Sequence, residues 1–199
     1  IQTMWVDISS WSTYMKEWFF FATLTAIYIF SFNLFKDAKA HRTILWIANI
    51  NAGINVVFAE LLIRNMNGPF PFIMNVPGNY IGNTGQQEMC GLWMAMAVMN
   101  GIYLNAAYSE VFSKDISAKT NRPSMLRYIN MGLLALNSWG MWNSTTRAGF
   151  LSLITGTVMI SIIFMQNDRK QMLKRVGQGV AIVLLMLALN IGMSYFGFG

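Results

Sequence analysis

Apolar runs close to the length that crosses a bilayer follow one another along the chain, separated by short polar segments. That recurrence limits the fold more than any other feature. About 20 residues of helix cross a hydrocarbon core. In that solvent every backbone amide must bond within its own segment, so each run is expected to be an α-helix. The expected spans are 18–35, 43–63, 90–112, 126–142, 148–166 and 179–198, with an outer segment over 65–88. The fourth run is short, which suits a tilted helix or one buried among its neighbours.

Composition agrees. The chain is 55% hydrophobic and 11% charged, whereas a soluble domain carries about 25% charged residues. Six spans use roughly 120 residues, which leaves no room in a chain of 199 for a second domain. The expected fold is a single all-α transmembrane domain over residues 1–199, a six-helix bundle.

The basic residues set the expected orientation. Lys36, Lys39 and Arg42 follow the first run; Lys114, Lys119, Arg122 and Arg127 follow the third; Arg169, Lys170, Lys174 and Arg175 follow the fifth. Lys16, Arg64 and Arg147 are the basic residues of the opposite side. Basic loops stay cytoplasmic, so both termini are expected outside, in a plasma or inner membrane. The net charge of +6 is spread over these loops rather than gathered in a nucleic-acid patch. The partners expected are the lipid bilayer and other transmembrane subunits. Residues 1–16 are too polar for a signal-peptide core; Trp5, Trp11 and Tyr14 suit the headgroup region.

Asparagine is the unusual residue of the spans. Asn33, Asn49, Asn51, Asn55, Asn100, Asn105, Asn130, Asn137 and Asn190 fall within them or at their ends. An amide in hydrocarbon must find a partner. Asn51, Asn55, Asn100, Asn105, Asn137 and Asn190 are therefore candidates for helix contacts or for a polar pathway. Asn51 and Asn55, four apart, share a helix face. Gly53, Gly101, Gly132, Gly140, Gly156 and Gly192 suit close helix approach.

Intramembrane charge marks ion and proton paths, and no charge falls near the middle of a run. Glu60 with Arg64, and Glu110 with Lys114, are acid-before-base pairs at the helical spacing and read as end-of-helix ion pairs. His41 is the single histidine and sits in a loop, so neither haem nor a histidine-cluster metal site is expected within the chain. No run contains the lysine that retinal would need. Serine–histidine catalysis would have to recruit His41 from its loop. Cys90 is the single cysteine, which rules out an internal disulfide and a cysteine-based zinc site. Met89, Cys90 and Met94 are soft donors that suit copper(I), although methionine also fills gaps between helices.

The outer segment carries Pro69, Pro71 and Pro77 and several glycines, the make-up of successive turns. Phe70, Phe72 and Tyr80 are too apolar for a freely solvated loop and are its binding candidates. Asn143-Ser144-Thr145 is a glycosylation sequon in a short outer loop. LALNSWGM (134–141) and LALNIGM (187–193), with a looser IANINAG (47–53), suggest either an old duplication or chance recurrence.

Three functions fit these residues. The first is a non-catalytic membrane-embedded subunit of a larger assembly. The second is a channel or transporter for a small neutral polar solute, with the asparagines converging on one cavity. The third is a copper-dependent membrane enzyme.

Overall fold

The computed structural model describes residues 37–73, 78–107, 125–166 and 170–196, together with Met15, Trp18, Phe19, Ala22, Thr23, Thr25 and Ala26. Every regular element among them is a helix: α1 (Ala38–Ile63), α2 (Gln87–Ala107), α3 (Met125–Asn143), α4 (Arg147–Gln166) and α5 (Lys170–Tyr195). Four contain a stretch long and apolar enough to cross a membrane: Ala40–Ile63, Gln87–Ala106, Arg147–Met165 and Met172–Tyr195. The chain thus has the make-up of a multi-pass membrane protein, compatible with a membrane location.

The chain divides into two compact units, 1–43 and 44–199. In the first, the described residues of the expected span 18–35 are helical. Trp18 and Phe19 are exposed, and the Thr23 hydroxyl donates to the Phe19 carbonyl one turn back. The rest of that span, Asn33 included, lies outside the described residues, as do Glu110 and Lys114.

In the second unit, α3 is the helix that lacks the apolarity of a free span, because Arg127, Asn130, Asn137, Ser138 and Asn143 dilute it. Its buried face holds Asn130, Leu134, Asn137, Ser138, Gly140 and Met141. Asn130 and Asn137 donate to carbonyls of other helices and Ser138 to the Leu134 carbonyl of its own, which lowers the cost of placing them in hydrocarbon. Helix α2 is the central element: 61% of its apolar stretch is buried, against 17% in α4 and in α5. Met94, Ala95, Val98 and Ile102 are completely buried along it.

Pairings fix the directions. Along α2 and α3, Gln87 meets Ser144 and Gly101 meets Asn130, so the two run antiparallel. Along α1 and α3, Asn49 meets Asn137 and Val56 meets Gly140, so those two run parallel. Asn105 meets Arg175, and Asn190 meets Asn143, which sets α5 parallel to α3. Glu60 and Arg147 therefore lie at one end of this unit, and Arg127 and Arg175 at the other.

Close approach explains some of the glycines. A side chain on Gly140 would strike Val56, and one on Gly101 would meet Leu134 at 3.2 Å. Gly132 and Gly192 face open space and have no such role. The bounds also differ from those expected: α1 starts at Ala38 rather than 43, so His41, expected in a loop, stands within the helix. The last helix starts at Lys170, not near 179, because Lys170, Lys174 and Arg175 continue the helix instead of forming a loop. Nothing in their propensity opposes a helix, and apolarity alone is blind to a helix that extends beyond its apolar part.

Candidate functional site

The last turns of α1 turn Glu60 towards α3 and the outer segment. Its carboxylate is a hub. Oε2 accepts from Arg64 Nε at 3.2 Å, as the four-residue spacing predicts. Oε1 accepts from Trp139 Nε1 of α3 at 2.7 Å and from the Tyr80 hydroxyl at 3.1 Å. Hydrogen bonds to an ionised group are the strong ones. The reading of Glu60 and Arg64 as an end-of-helix pair was thus incomplete, since Tyr80 and Trp139 complete the set. Tyr80 is buried. That burial, with the Glu60 carboxylate beside it, pushes its phenol well above the ordinary tyrosine range. It stays a neutral donor.

A second set of bonds fastens the same segment one turn earlier on α1. The Asn83 backbone N–H donates to Asn55 Oδ1 at 3.2 Å. Asn55 Nδ2 in turn donates to the Asn51 carbonyl and to Asn51 Oδ1, both at 3.1 Å. Gly82 makes this approach possible: its φ is +53°, and a side chain there would sit 2.7 Å from the Asn55 carbonyl oxygen. Farther along, Asn83 Nδ2 donates to the Phe72 carbonyl. Phe72 packs edge-on against Phe58 of α1 and against Phe70, with ring centroids 5.6 and 5.8 Å away. Phe70 and Phe72 remain 39% and 60% exposed, while Tyr80 is 3% exposed. The three aromatic candidates therefore divide: Tyr80 is an internal tie, and the two phenylalanines form a surface.

The remaining asparagines form a polar seam between α1, α2, α3 and α5. Asn137 Nδ2 donates to the Asn49 carbonyl at 3.2 Å, and Asn130 Nδ2 to the Gly101 carbonyl at 2.9 Å. Asn105 Nδ2 donates to the Arg175 carbonyl at 3.0 Å. Each amide thus crosses to another helix through its nitrogen. The oxygens do not: Oδ1 of Asn49, Asn105, Asn130 and Asn137, and Nδ2 of Asn49, are buried with no hydrogen-bond partner. Asn190 is elsewhere, donating to Asn143 Oδ1 at 2.9 Å. Asn143 Nδ2 is itself donated to the Trp139 carbonyl, so the sequon's amide is engaged. Asn100 is half-buried. Asn51, Asn55, Asn100, Asn105 and Asn137, expected to line one cavity, do not share one set of hydrogen bonds. Asn51 and Asn55 belong to the outer fastening, and Asn105 and Asn137 to the seam.

Met89 is 55% exposed, while Cys90 and Met94, four residues apart, are fully buried on the opposite face. Among the described residues no three histidine, cysteine, aspartate or glutamate side chains gather. Two open grooves flank the turn between α3 and α4. One, about 890 Å³, is lined by Gln86, Gln87, Glu88, Thr145, Thr146, Arg147 and Ala148. The other, about 500 Å³, is mainly apolar and includes Trp142, Phe150 and Leu151. Gln87 pins the turn by donating to the Ser144 carbonyl and the Thr145 hydroxyl.

Trp139 and Asn83 are the participants the sequence did not mark. Trp139 lies 79 residues from Glu60, and an indole inside an apolar run carries no sign of its partner. Compared with known protein families, with curated proteins and with solved structures, the chain matches none.

Proposed function

We propose that the chain is a non-catalytic, membrane-embedded subunit of a larger membrane protein assembly. On this reading it has six spans, both termini on the non-cytoplasmic side, and its basic loops in the cytoplasm of a plasma or inner membrane. The observation that carries it is the pinned outer segment. Glu60, Asn55 and Phe58 hold its described residues against the helix ends, and that segment presents Phe70 and Phe72 outside the apolar stretches. Exposed aromatics on a held surface lose little entropy on docking and suit the centre of a protein interface. The carboxylate nearest them is already bonded by three donors, so it serves structure rather than proton transfer.

The test is purification from native membranes in mild detergent. Other chains in fixed proportion are expected, and Phe70→Ala with Phe72→Ala is expected to release them while leaving the bundle intact. A lone monomer or a homo-oligomer would sink the reading.

A second reading is passage of a small neutral polar solute, for which the unpartnered amide oxygens of the seam would be the acceptors. Flux assays on reconstituted protein with Asn49 or Asn137 replaced test it directly.

A further inference from the structure

We propose that the two grooves beside the turn between α3 and α4 form one site for a phospholipid with a zwitterionic, primary-amine headgroup, of the phosphatidylethanolamine class. The inference rests on a membrane location for the chain and is independent of the assembly reading. The polar groove, about 890 Å³, and the apolar one, about 500 Å³, share Thr145, Thr146 and Arg147, so they run into each other. Each has the volume of a small-ligand pocket. Together they make a cleft that is polar at one end and apolar at the other, the division that a lipid itself carries.

The level of this cleft in a bilayer follows from the helices. Gln87 and Arg147 are the first residues of two of the stretches able to cross a membrane. The polar groove, which both of them line, therefore stands where hydrocarbon gives way to headgroups. The apolar groove continues along the first turn of α4, where Phe150 and Leu151 are 46% and 66% exposed. Phe150 leans on Trp142, with ring centroids 5.5 Å apart. These side chains offer an acyl chain an apolar wall directly below the polar groove.

Charge selects the headgroup. Arg147 and Glu88 both line the polar groove and both are exposed. The ion pair among the described residues is Glu60–Arg64; Arg147 and Glu88 bond neither each other nor another described side chain. One cation and one anion left unpaired in a single groove fit an occupant that carries both signs. The Arg147 guanidinium matches a phosphate, and the first N–H groups of α4 beside it have no acceptor within their own helix. Glu88 then accepts from the ammonium. A primary ammonium brings three N–H donors to Glu88 and to the neighbouring Gln86 side chain. A quaternary ammonium brings none and is recognised by aromatic faces, whereas no aromatic residue lines this groove. An anionic lipid without an amine would set Glu88 against a headgroup of its own sign.

Native mass spectrometry of the full chain, released from micelles after titration with lipids of one acyl composition, tests the proposal. Phosphatidylethanolamine is expected to bind several-fold more tightly than phosphatidylcholine or phosphatidylglycerol. Arg147→Gln is expected to weaken that binding several-fold, and Glu88→Gln to abolish the preference over phosphatidylcholine. Lys170→Gln, which removes an exposed cation at the other end of the bundle, is expected to change neither. Millimolar inorganic phosphate is expected not to displace the lipid, because it has nothing to place in the apolar groove. Equal binding of the three lipids would overturn the headgroup assignment. Equal weakening by Arg147→Gln and Lys170→Gln would overturn the location, and displacement by inorganic phosphate would overturn the lipid as occupant. The order of the three lipids on the unsubstituted protein decides the headgroup even if a variant fails to fold.

Discussion

At the Glu60 end, one carboxylate receives Arg64, Trp139 and Tyr80, and the next turn of α1 fastens Asn83 through Asn55. Along the seam, Asn105, Asn130 and Asn137 each give the amide nitrogen to a neighbouring helix and leave the oxygen unpaired by protein, and Asn49 bonds through neither amide atom. The first region holds a polypeptide segment in place; the second holds helices together and keeps acceptors in reserve. The difference lies in the number of donors nearby. The outer segment brings a hydroxyl and a backbone N–H to α1, whereas a helix interior offers carbonyls almost exclusively, since its own N–H groups are already used.

Replacing Glu60 by Leu is expected to have the largest effect. It strands the buried Tyr80 hydroxyl and the Trp139 N–H, at a cost of about 3 kcal/mol. The midpoint of denaturant unfolding in micelles measures it, and proteolysis within 65–86 should accelerate in parallel. A cost near zero would mean the hub does not fasten that segment. Gly140→Val comes next, because its side chain would drive into Val56 where α1 meets α3; overpacking of this kind costs about 2 kcal/mol. Unchanged stability there would show that α1 and α3 can separate freely.

Tyr80→Phe keeps the ring and removes one bond to a charged acceptor, at about 1.5 kcal/mol. It also tests pH dependence. The folded-state phenol titrates above the unfolded value of 10.0, so Tyr80 contributes stability that is fully present below that pH. As pH rises beyond 10.0 the unfolded chain loses the proton first, and stability falls. Loosening of the outer segment above that pH is expected in the native protein and should be weaker in Tyr80→Phe. The smallest effect is expected from Asn49→Leu. Its side chain gives up no bond to protein, so the change should stay within about 0.6 kcal/mol, the average for polar contacts between membrane helices. A loss several times larger would mean that Asn49 bonds firmly within the protein, and the contrast between the two regions would disappear.

The helices were largely legible in the sequence because apolar length is a local property. The runs expected at 126–142 and 148–166 agree with α3 and α4 to within a residue at each end, while the run expected at 43–63 belongs to a helix that reaches back to Ala38. The start of α5 was not legible, since Lys170–Arg175 is polar and helical at once. The repeated LALN words illustrate the same limit from the other side. Asn137 is fully buried and bonds the Asn49 carbonyl, while Asn190 is half-buried and bonds a side chain of α3. The two words share letters but not surroundings. Of the candidate site residues, Glu60 with Arg64 could be paired from spacing because both stand on one helix. Tyr80 could be marked as too apolar for solvent, but not as a donor to Glu60.

The sequence by itself determined that this chain forms long apolar helices, which follows from the cost of bare backbone groups in hydrocarbon. Which groups meet was decided only by the tertiary structure. The Glu60–Trp139 bond, the Gly140–Val56 contact and the convergence of Asn49 and Asn130 on Gly101 depend on how helices distant in sequence are rotated and staggered. That rotation is set by packing summed over the whole bundle, which no single stretch of residues encodes.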